Sequence, residues 1–202
     1  MNGFDLLAPV YDKLSKLIFG KEMVQAQFFF LDHVRANDRV LILGGGTGWL
    51  LEELLRRQPY CEVWYIESSP AMMERAKHKC GDRSNVHFIL GTQLAVPPMI
   101  FDVVIMNFFL DMFSEKSLSL LIERIRISTR PQGLWMVTDF ENKGKIWQHV
   151  IVAIMITFFR LVCKIEATKL PDLGRIFTKH GMREVDSHSF FHGFIKSGLY
   201  KI

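Results

Sequence analysis

Val40-Leu41-Ile42-Leu43-Gly44-Gly45-Gly46-Thr47-Gly48-Trp49 is an apolar run that ends in a cluster of glycines. The residues that follow, Leu50-Leu51-Glu52-Glu53-Leu54-Leu55-Arg56-Arg57, are strong helix formers with apolar positions at helical spacing. The pattern predicts a strand, a glycine turn and a helix. Glycines at such a junction let the backbone approach a ligand closely and aim helix N–H groups at it, which suits nucleotide-like ligands.

The spacing of the glycines narrows the ligand. A dinucleotide fingerprint needs glycine at the first, third and sixth positions, the sixth so that helix and strand close around a pyrophosphate. Counting from Gly44, the sixth position is Trp49, and a bulky indole there disfavours an NAD-dependent reductase. No Lys-Ser or Lys-Thr follows the glycines, so a phosphate-binding Walker loop is excluded. What stands is Gly44-x-Gly46-x-Gly48, with Gly45 and Thr47 between, a loop open to a ligand without a pyrophosphate.

The second half of the expected site lies where a βαβ unit puts it. Val63-Trp64-Tyr65-Ile66 reads as a buried parallel strand, with Glu67 and Ser68 at its carboxyl end. Ligands of open α/β sheets bind outside that end, and an acid roughly twenty residues beyond the glycines accepts from ribose hydroxyls. Glu67 can also be read as an acidic cap, but Ser69 and Pro70 already look like the N-cap and first residue of the next helix. The ligand role is preferred because strand, glycines and acid occur together.

Strand, GxGxG loop and acid together resemble the class I S-adenosylmethionine-dependent methyltransferases over about residues 38 to 140. The start of the chain, Phe4-Asp5, Ala8 and Tyr11-Asp12, is similar to the ubiquinone and menaquinone biosynthesis methyltransferases. The resemblance implies an α/β fold: a doubly wound, Rossmann-like seven-stranded sheet with an N-terminal helical cap and a C-terminal antiparallel hairpin. It implies S-adenosylmethionine as cofactor, held by Gly44, Gly45, Gly46, Thr47, Gly48, Glu67 and Ser68, with Thr92, Gln93 and Asn107 completing the site. Tyr11 is expected to cover the cofactor or touch substrate, a half-buried aromatic being an equal reading. Two positions depart from the family: Ile42 stands where many members carry an acid, and Thr92 stands where an acid usually accepts from the adenine amino group. In its place Gln93 offers an amide oxygen, and Leu94 is expected to pack on the ring.

Composition agrees with one globular domain. The chain has 202 residues, 49% of them hydrophobic, and 25 Lys plus Arg against 21 Asp plus Glu give a formal net charge of +4. Its basic clusters fall on expected helices and read as solvated faces, so no nucleic-acid partner is expected. Cys61, Cys80 and Cys163 form no Cys-x-x-Cys pair, and the N-terminus lacks a signal-peptide pattern; both suggest a reduced, cytoplasmic setting.

Within a single methyltransferase domain over 1–202, the expected parts are a cap at 1–36, a cofactor-binding core at 37–142, an apolar helix and substrate-side helices at 143–180, and a hairpin at 181–202. The cap is expected to hold a second helix over about 21–35 that carries Phe28, Phe29, Phe30 and Leu31 into the core. Strand four, Phe101 to Met106, leads into Asn107-Phe108-Phe109-Leu110-Asp111, the loop that faces the transferable methyl in the family. Asp111 is a candidate base there, competing with a role as cap of the helix over about 114–129 that Ser114 also offers. Arg130-Pro131-Gln132-Gly133 reads as a turn before a fifth strand.

Ile146 to Cys163 is almost wholly apolar, and Arg160 and Lys164 cut it short of the roughly 20 residues of a membrane span. Three readings stand: a helix buried between core and cap, which is favoured, a wall for a greasy substrate, or a patch for a partner or a membrane surface. His149 at its polar start is a candidate base, though a solvated histidine is the simpler reading. His188 and His192 lie on strands without further ligands nearby, so no metal site is expected.

Methyl transfer needs alignment of nucleophile and donor more than a nucleophilic side chain. The expected function is transfer to a small, hydrophobic acceptor, with peripheral membrane contact and a homodimer left open. The alternative is a non-catalytic module on a methyltransferase fold that uses its apolar helix to hold a partner.

Overall fold

The computed structural model describes residues 3–7 and 19–202. Seven strands form one sheet in the order β3-β2-β1-β4-β5-β7-β6. They are β1 (Arg39–Leu43), β2 (Glu62–Glu67), β3 (Val86–Leu90), β4 (Phe101–Asn107), β5 (Thr129–Phe140), β6 (Arg183–Phe190) and β7 (Ile195–Lys201). The first five run parallel, and β7 is antiparallel to both β5 and β6. The expected doubly wound sheet and closing hairpin are both present.

The apolar runs of β1, β2 and β4 follow from burial on both faces. Alternate residues of a strand point to opposite sides. Val40, Ile42, Val63, Tyr65, Val103 and Ile105 therefore pack beneath Leu51 and Leu54 of helix α3 (Trp49–Arg57) and Met73 and Ala76 of α4 (Pro70–Cys80). Leu41, Leu43, Ile66, Val104 and Met106 pack on the other side against Leu118, Leu121, Ile122 and Ile125 of α5 (Glu115–Ile127). Ile42, where the family often carries an acid, is fully committed to this core between Tyr65 and Ile105.

The helix starts are locally encoded. The Ser69 hydroxyl accepts from Met72 N–H with Pro70 at the first helical position. Ser114 accepts from Ser117 N–H at the start of α5, so Ser114 is the cap and Asp111 is not. Ser114→Ala is expected to cost about 1 kcal/mol of stability, read as a lower urea midpoint with unchanged slope.

Two boundaries and one side-chain placement differ from the sequence expectation. The second cap helix, α2 (Glu22–Phe28), is short and gives way to a 3-10 turn at Leu31–His33; α1 is Gly3–Leu7. Phe30 and Leu31 are buried, whereas Phe29 lies at the surface. The Arg130–Gly133 turn is a bulge within β5: Phe101 pairs with Thr129 but Val103 pairs with Leu134, and Gln132 takes φ 61°.

The largest correction concerns α6 (Ile146–Cys163). It is not a buried core helix: among its side chains only Gln148 and Ile156 are buried. Trp147, Ile151, Val152 and Met155 pack from above on a cluster of Phe19, Met23, Phe140, Phe194 and Ile195, and the opposite side faces outward. By length and composition the helix could cross a membrane, with mean hydropathy 1.9 over 18 residues, yet one side of it is seated on the domain. Helix α7 (Leu173–Lys179) and Gly181 then lead into β6.

Candidate functional site

The strand order reverses between β1 and β4, and the loops leaving their carboxyl ends diverge there to open a crevice. At β1 the glycine loop turns into α3. Gly46 takes φ +66°, and a Cβ built on it meets nothing within 4 Å, so this backbone is both left-handed and bare. Gly48 takes φ +87° and lies against Ala76, where a Cβ would come within 2.8 Å of backbone. Gly45 is constrained by contact alone: its Cβ would fall 2.1 Å from the Tyr65 ring. The Tyr65 hydroxyl donates to Gly46 C=O at 2.8 Å and fixes the loop from beneath.

Glu67 ends β2 facing this loop. Its Oε2 accepts from Gly46 N–H at 2.9 Å and its Oε1 from Ser69 N–H at 2.8 Å. A carboxylate offers about four acceptor positions, so both oxygens retain capacity for ribose hydroxyls. Ser69 links this corner to the cap, since its hydroxyl donates to Asp5 Oδ1 at 2.6 Å.

The crevice is a cavity of about 720 Å³, within the size range of small-molecule sites. Among the described residues, Gly44, Gly45, Gly46, Thr47, Glu67, Ser68, Gly91, Thr92 and Gln93 line one side. Asn107, Phe108, Phe109, Met112 and Phe113 line another, with Phe4, Met23, Val24, Gln27 and Phe28 from the cap. Trp49 stands half-exposed at the rim, with Lys79 Nζ 3.6 Å from its ring centroid.

The Asn107 side chain lines the cavity with both its Oδ1 and Nδ2 buried and without a protein partner. Buried polar groups are nearly always hydrogen-bonded, so this amide is suited to a polar group of a bound ligand. The next residue, Phe108, is held at φ 50° while its N–H donates to Thr138 C=O at 2.7 Å. A bulky residue in that region marks a strained corner, here at the cavity wall.

Nine of the sequence-derived candidates thus come together: Gly44, Gly45, Gly46, Thr47, Glu67, Ser68, Thr92, Gln93 and Asn107. Gly48 lies just behind, as the N-cap of α3. Thr92 spends its hydroxyl on Leu94 N–H at 3.3 Å, and Leu94 is exposed and does not line the cavity. Tyr11 lies outside the described residues.

The two candidate bases are placed elsewhere. Asp111 turns away from the cavity towards Asp139, whose Oδ2 accepts from Leu110 N–H at 3.0 Å and Asp111 N–H at 3.1 Å. Burial pushes the Asp111 carboxyl up to about 7. Asp139 is raised well above the usual range by burial and then by the Asp111 charge. His149 sits on the outward side of α6 against Asn142, 3.0 Å from its amide nitrogen, and does not line the cavity. No cysteine lines it either, and burial pushes Cys61, Cys80 and Cys163 up to about 11.

Met23, Val24 and Gln27 of the cap were not individually foreseen, and Phe28, expected in the core, also lines the cavity. The available signal was their pairing at i and i+4 on a short helix, which places each pair on one side.

Comparison with known proteins bears on this geometry. Residues 40–133 match the family model for a methyltransferase domain. A malonyl-(acyl-carrier protein) O-methyltransferase of Halorhodospira halophila is 30% identical over 140 residues, covering 68% of this chain and 46% of that protein. A second, from Ilyobacter polytropus, is 32% identical over 83 residues, covering 41% of this chain and 30% of that protein. The chain therefore spans less than half the length of either relative. Human N-acetylserotonin methyltransferase, solved with S-adenosylmethionine, shares the fold with TM-score 0.70 at 16% identity, covering 98% of this chain and 55% of that one. A Haloferax volcanii methyltransferase in complex with the Trm112 activator matches with TM-score 0.74 at 15% identity over 100% of this chain and 98% of that one.

Proposed function

We propose that this chain is a class I S-adenosylmethionine-dependent methyltransferase and that it methylates a small hydrophobic acceptor bound in the cavity beside the glycine loop. The observation that carries this reading is the continuity of one cavity, with Glu67 and the bare Gly46 backbone at one side and Phe108, Phe109, Met112, Phe113 and Phe28 at the other. S-adenosylmethionine, when bound, supplies the electrophilic methyl group.

The residues divide the work. The glycine loop leaves room for the cofactor, Glu67 accepts from its ribose, and Gly91, Thr92 and Gln93 border the place for its base. The Asn107 amide meets a polar atom of the cofactor or the acceptor. The aromatic wall desolvates the acceptor and holds it in line with the methyl, and such alignment can supply on the order of 7–11 kcal/mol of a barrier. No side chain is required as a nucleophile, and a base is needed only for an acceptor that must lose a proton. Three unpaired thiols accord with a reduced, cytoplasmic setting.

Calorimetric titration with S-adenosylhomocysteine is expected to show micromolar binding and none with NADH. Radiolabelled methyl from S-adenosylmethionine is expected in the organic-soluble fraction of an extract. A blank titration would favour the non-catalytic alternative, and label found only in RNA or protein would end the small-acceptor reading.

A further inference from the structure

Helix α6 presents a surface that the proposed reaction leaves unexplained. Ile146, Val150, Ile154 and Leu161 fall within about 80° of one another at 100° per residue. All four are exposed, Ile146 by 84% and Leu161 by 78%, with Phe158 at their border. No Asp or Glu occurs from Ile146 to Lys164. Lys143, paired with Glu141 at 3.2 Å, and Lys145, whose Nζ donates to His192 C=O at 3.3 Å, precede this stripe, while Arg160 and Lys164 stand at its far end and make no ion pair among the described residues.

The opposite side of the same helix reaches the cavity through a single layer of side chains. Phe4 lines the cavity and stacks on Phe159 of α6, ring centroids 6.4 Å apart. Met23 and Phe108, also lining residues, belong to the cluster that Trp147, Ile151, Val152 and Met155 of α6 cover.

We propose that the outward side of α6 docks on an anionic lipid surface and that the acceptor is a membrane-resident lipid admitted to the cavity beneath this helix. The second half rests on the methyltransferase reading; the first does not. An apolar stripe flanked by cations is the arrangement of an interfacial helix, which lies in the plane of the membrane with its apolar side among the headgroups and upper acyl chains. A second copy of the chain fits less well. The stripe is about 27 Å long and about 10 Å wide, roughly 300 Å², well short of the approximately 800 Å² per partner of a stable interface.

The test is flotation of the full chain with vesicles of equal parts phosphatidylglycerol and phosphatidylcholine, beside phosphatidylcholine alone. Wild type is expected to float with the anionic vesicles and about tenfold more weakly with the neutral ones. The double variant Ile154→Asp/Leu161→Asp is expected to lose vesicle binding tenfold or more, with unchanged thermal midpoint and S-adenosylhomocysteine affinity. Docking is overturned if wild type does not float, if the double variant floats as well as wild type, or if light scattering without vesicles shows a dimer that the double variant dissociates. A blank S-adenosylhomocysteine titration overturns the lipid-acceptor half whatever the vesicles show. Organic-soluble label that is absent from the membrane fraction of the extract overturns that half alone.

Discussion

Glu67→Gln is expected to weaken S-adenosylhomocysteine binding by about 100-fold, nearly as much as Glu67→Ala, although it preserves the shape of the side chain. Each oxygen of Glu67 faces a backbone N–H, Gly46 on one side and Ser69 on the other. A glutamine has one acceptor atom and one NH₂ group, so either orientation sets a donor against a donor. If the clash falls at Gly46, the glycine loop loses its tie to β2; if at Ser69, the corner that carries Asp5 and the cap loosens. The ribose hydroxyls lose a charged acceptor in both cases. A factor of 100 corresponds to about 2.8 kcal/mol, the worth of one or two charge-assisted hydrogen bonds. Calorimetry on wild type and both variants, with thermal midpoints as a control, decides it. A Gln variant that binds within threefold of wild type would remove Glu67 from the cofactor site.

Much of this site was legible because it is local. Strand, glycines and acid lie within a single βαβ unit, and the distance from Gly44 to Glu67 is set by the helix and turn between them. The caps at Ser69 and Ser114 were legible for the same reason, a hydroxyl reaching an N–H three residues on. What could not be read depends on contacts between distant parts of the chain. Gly45 reads as an interchangeable position until Tyr65 is seen beneath it. Asp111 reads as a free acid at the cavity until Asp139, on another strand, is found to bond its backbone. The all-round apolarity of α6 argues for burial, because periodicity distinguishes the sides of a helix only when one of them is polar. Its exposed stripe became visible only once Phe140, Phe194 and Ile195 were seen to occupy one side.

Raising the pH from 5 to 8 is expected to destabilise the wild-type chain through the Asp111–Asp139 pair, and Asp111→Asn is expected to reduce that loss. Two carboxyls in one buried site cannot both ionise cheaply. Asp139 accepts three backbone N–H groups, from Leu110, Asp111 and Phe140. Asp111 Oδ1 is buried without a partner. Asp111 is raised by burial to about 7, so its proton leaves within this range. The sign follows from proton binding: between the unfolded value near 3.8 and about 7, the native state holds a proton that the unfolded chain has released, so stability falls as pH rises. One such proton gives a slope of up to about 1.4 kcal/mol per pH unit. Asp111→Asn is expected to match wild type near pH 4 and exceed it above pH 7, seen as thermal midpoints that fall less steeply with pH than those of wild type. Asp139→Asn has the opposite sign. An NH₂ group replaces an oxygen that accepts from backbone, leaving N–H donors unpaired at a cost of about 3 kcal/mol or more at any pH. Leu110 and Asp111 anchor the segment that carries Phe109, Met112 and Phe113 into the cavity wall. Asp139→Asn is therefore expected to impair acceptor methylation more than S-adenosylhomocysteine binding, because Glu67 and the glycine loop lie on other strands. Parallel pH profiles for wild type and Asp111→Asn would show that the pair does not titrate in this range.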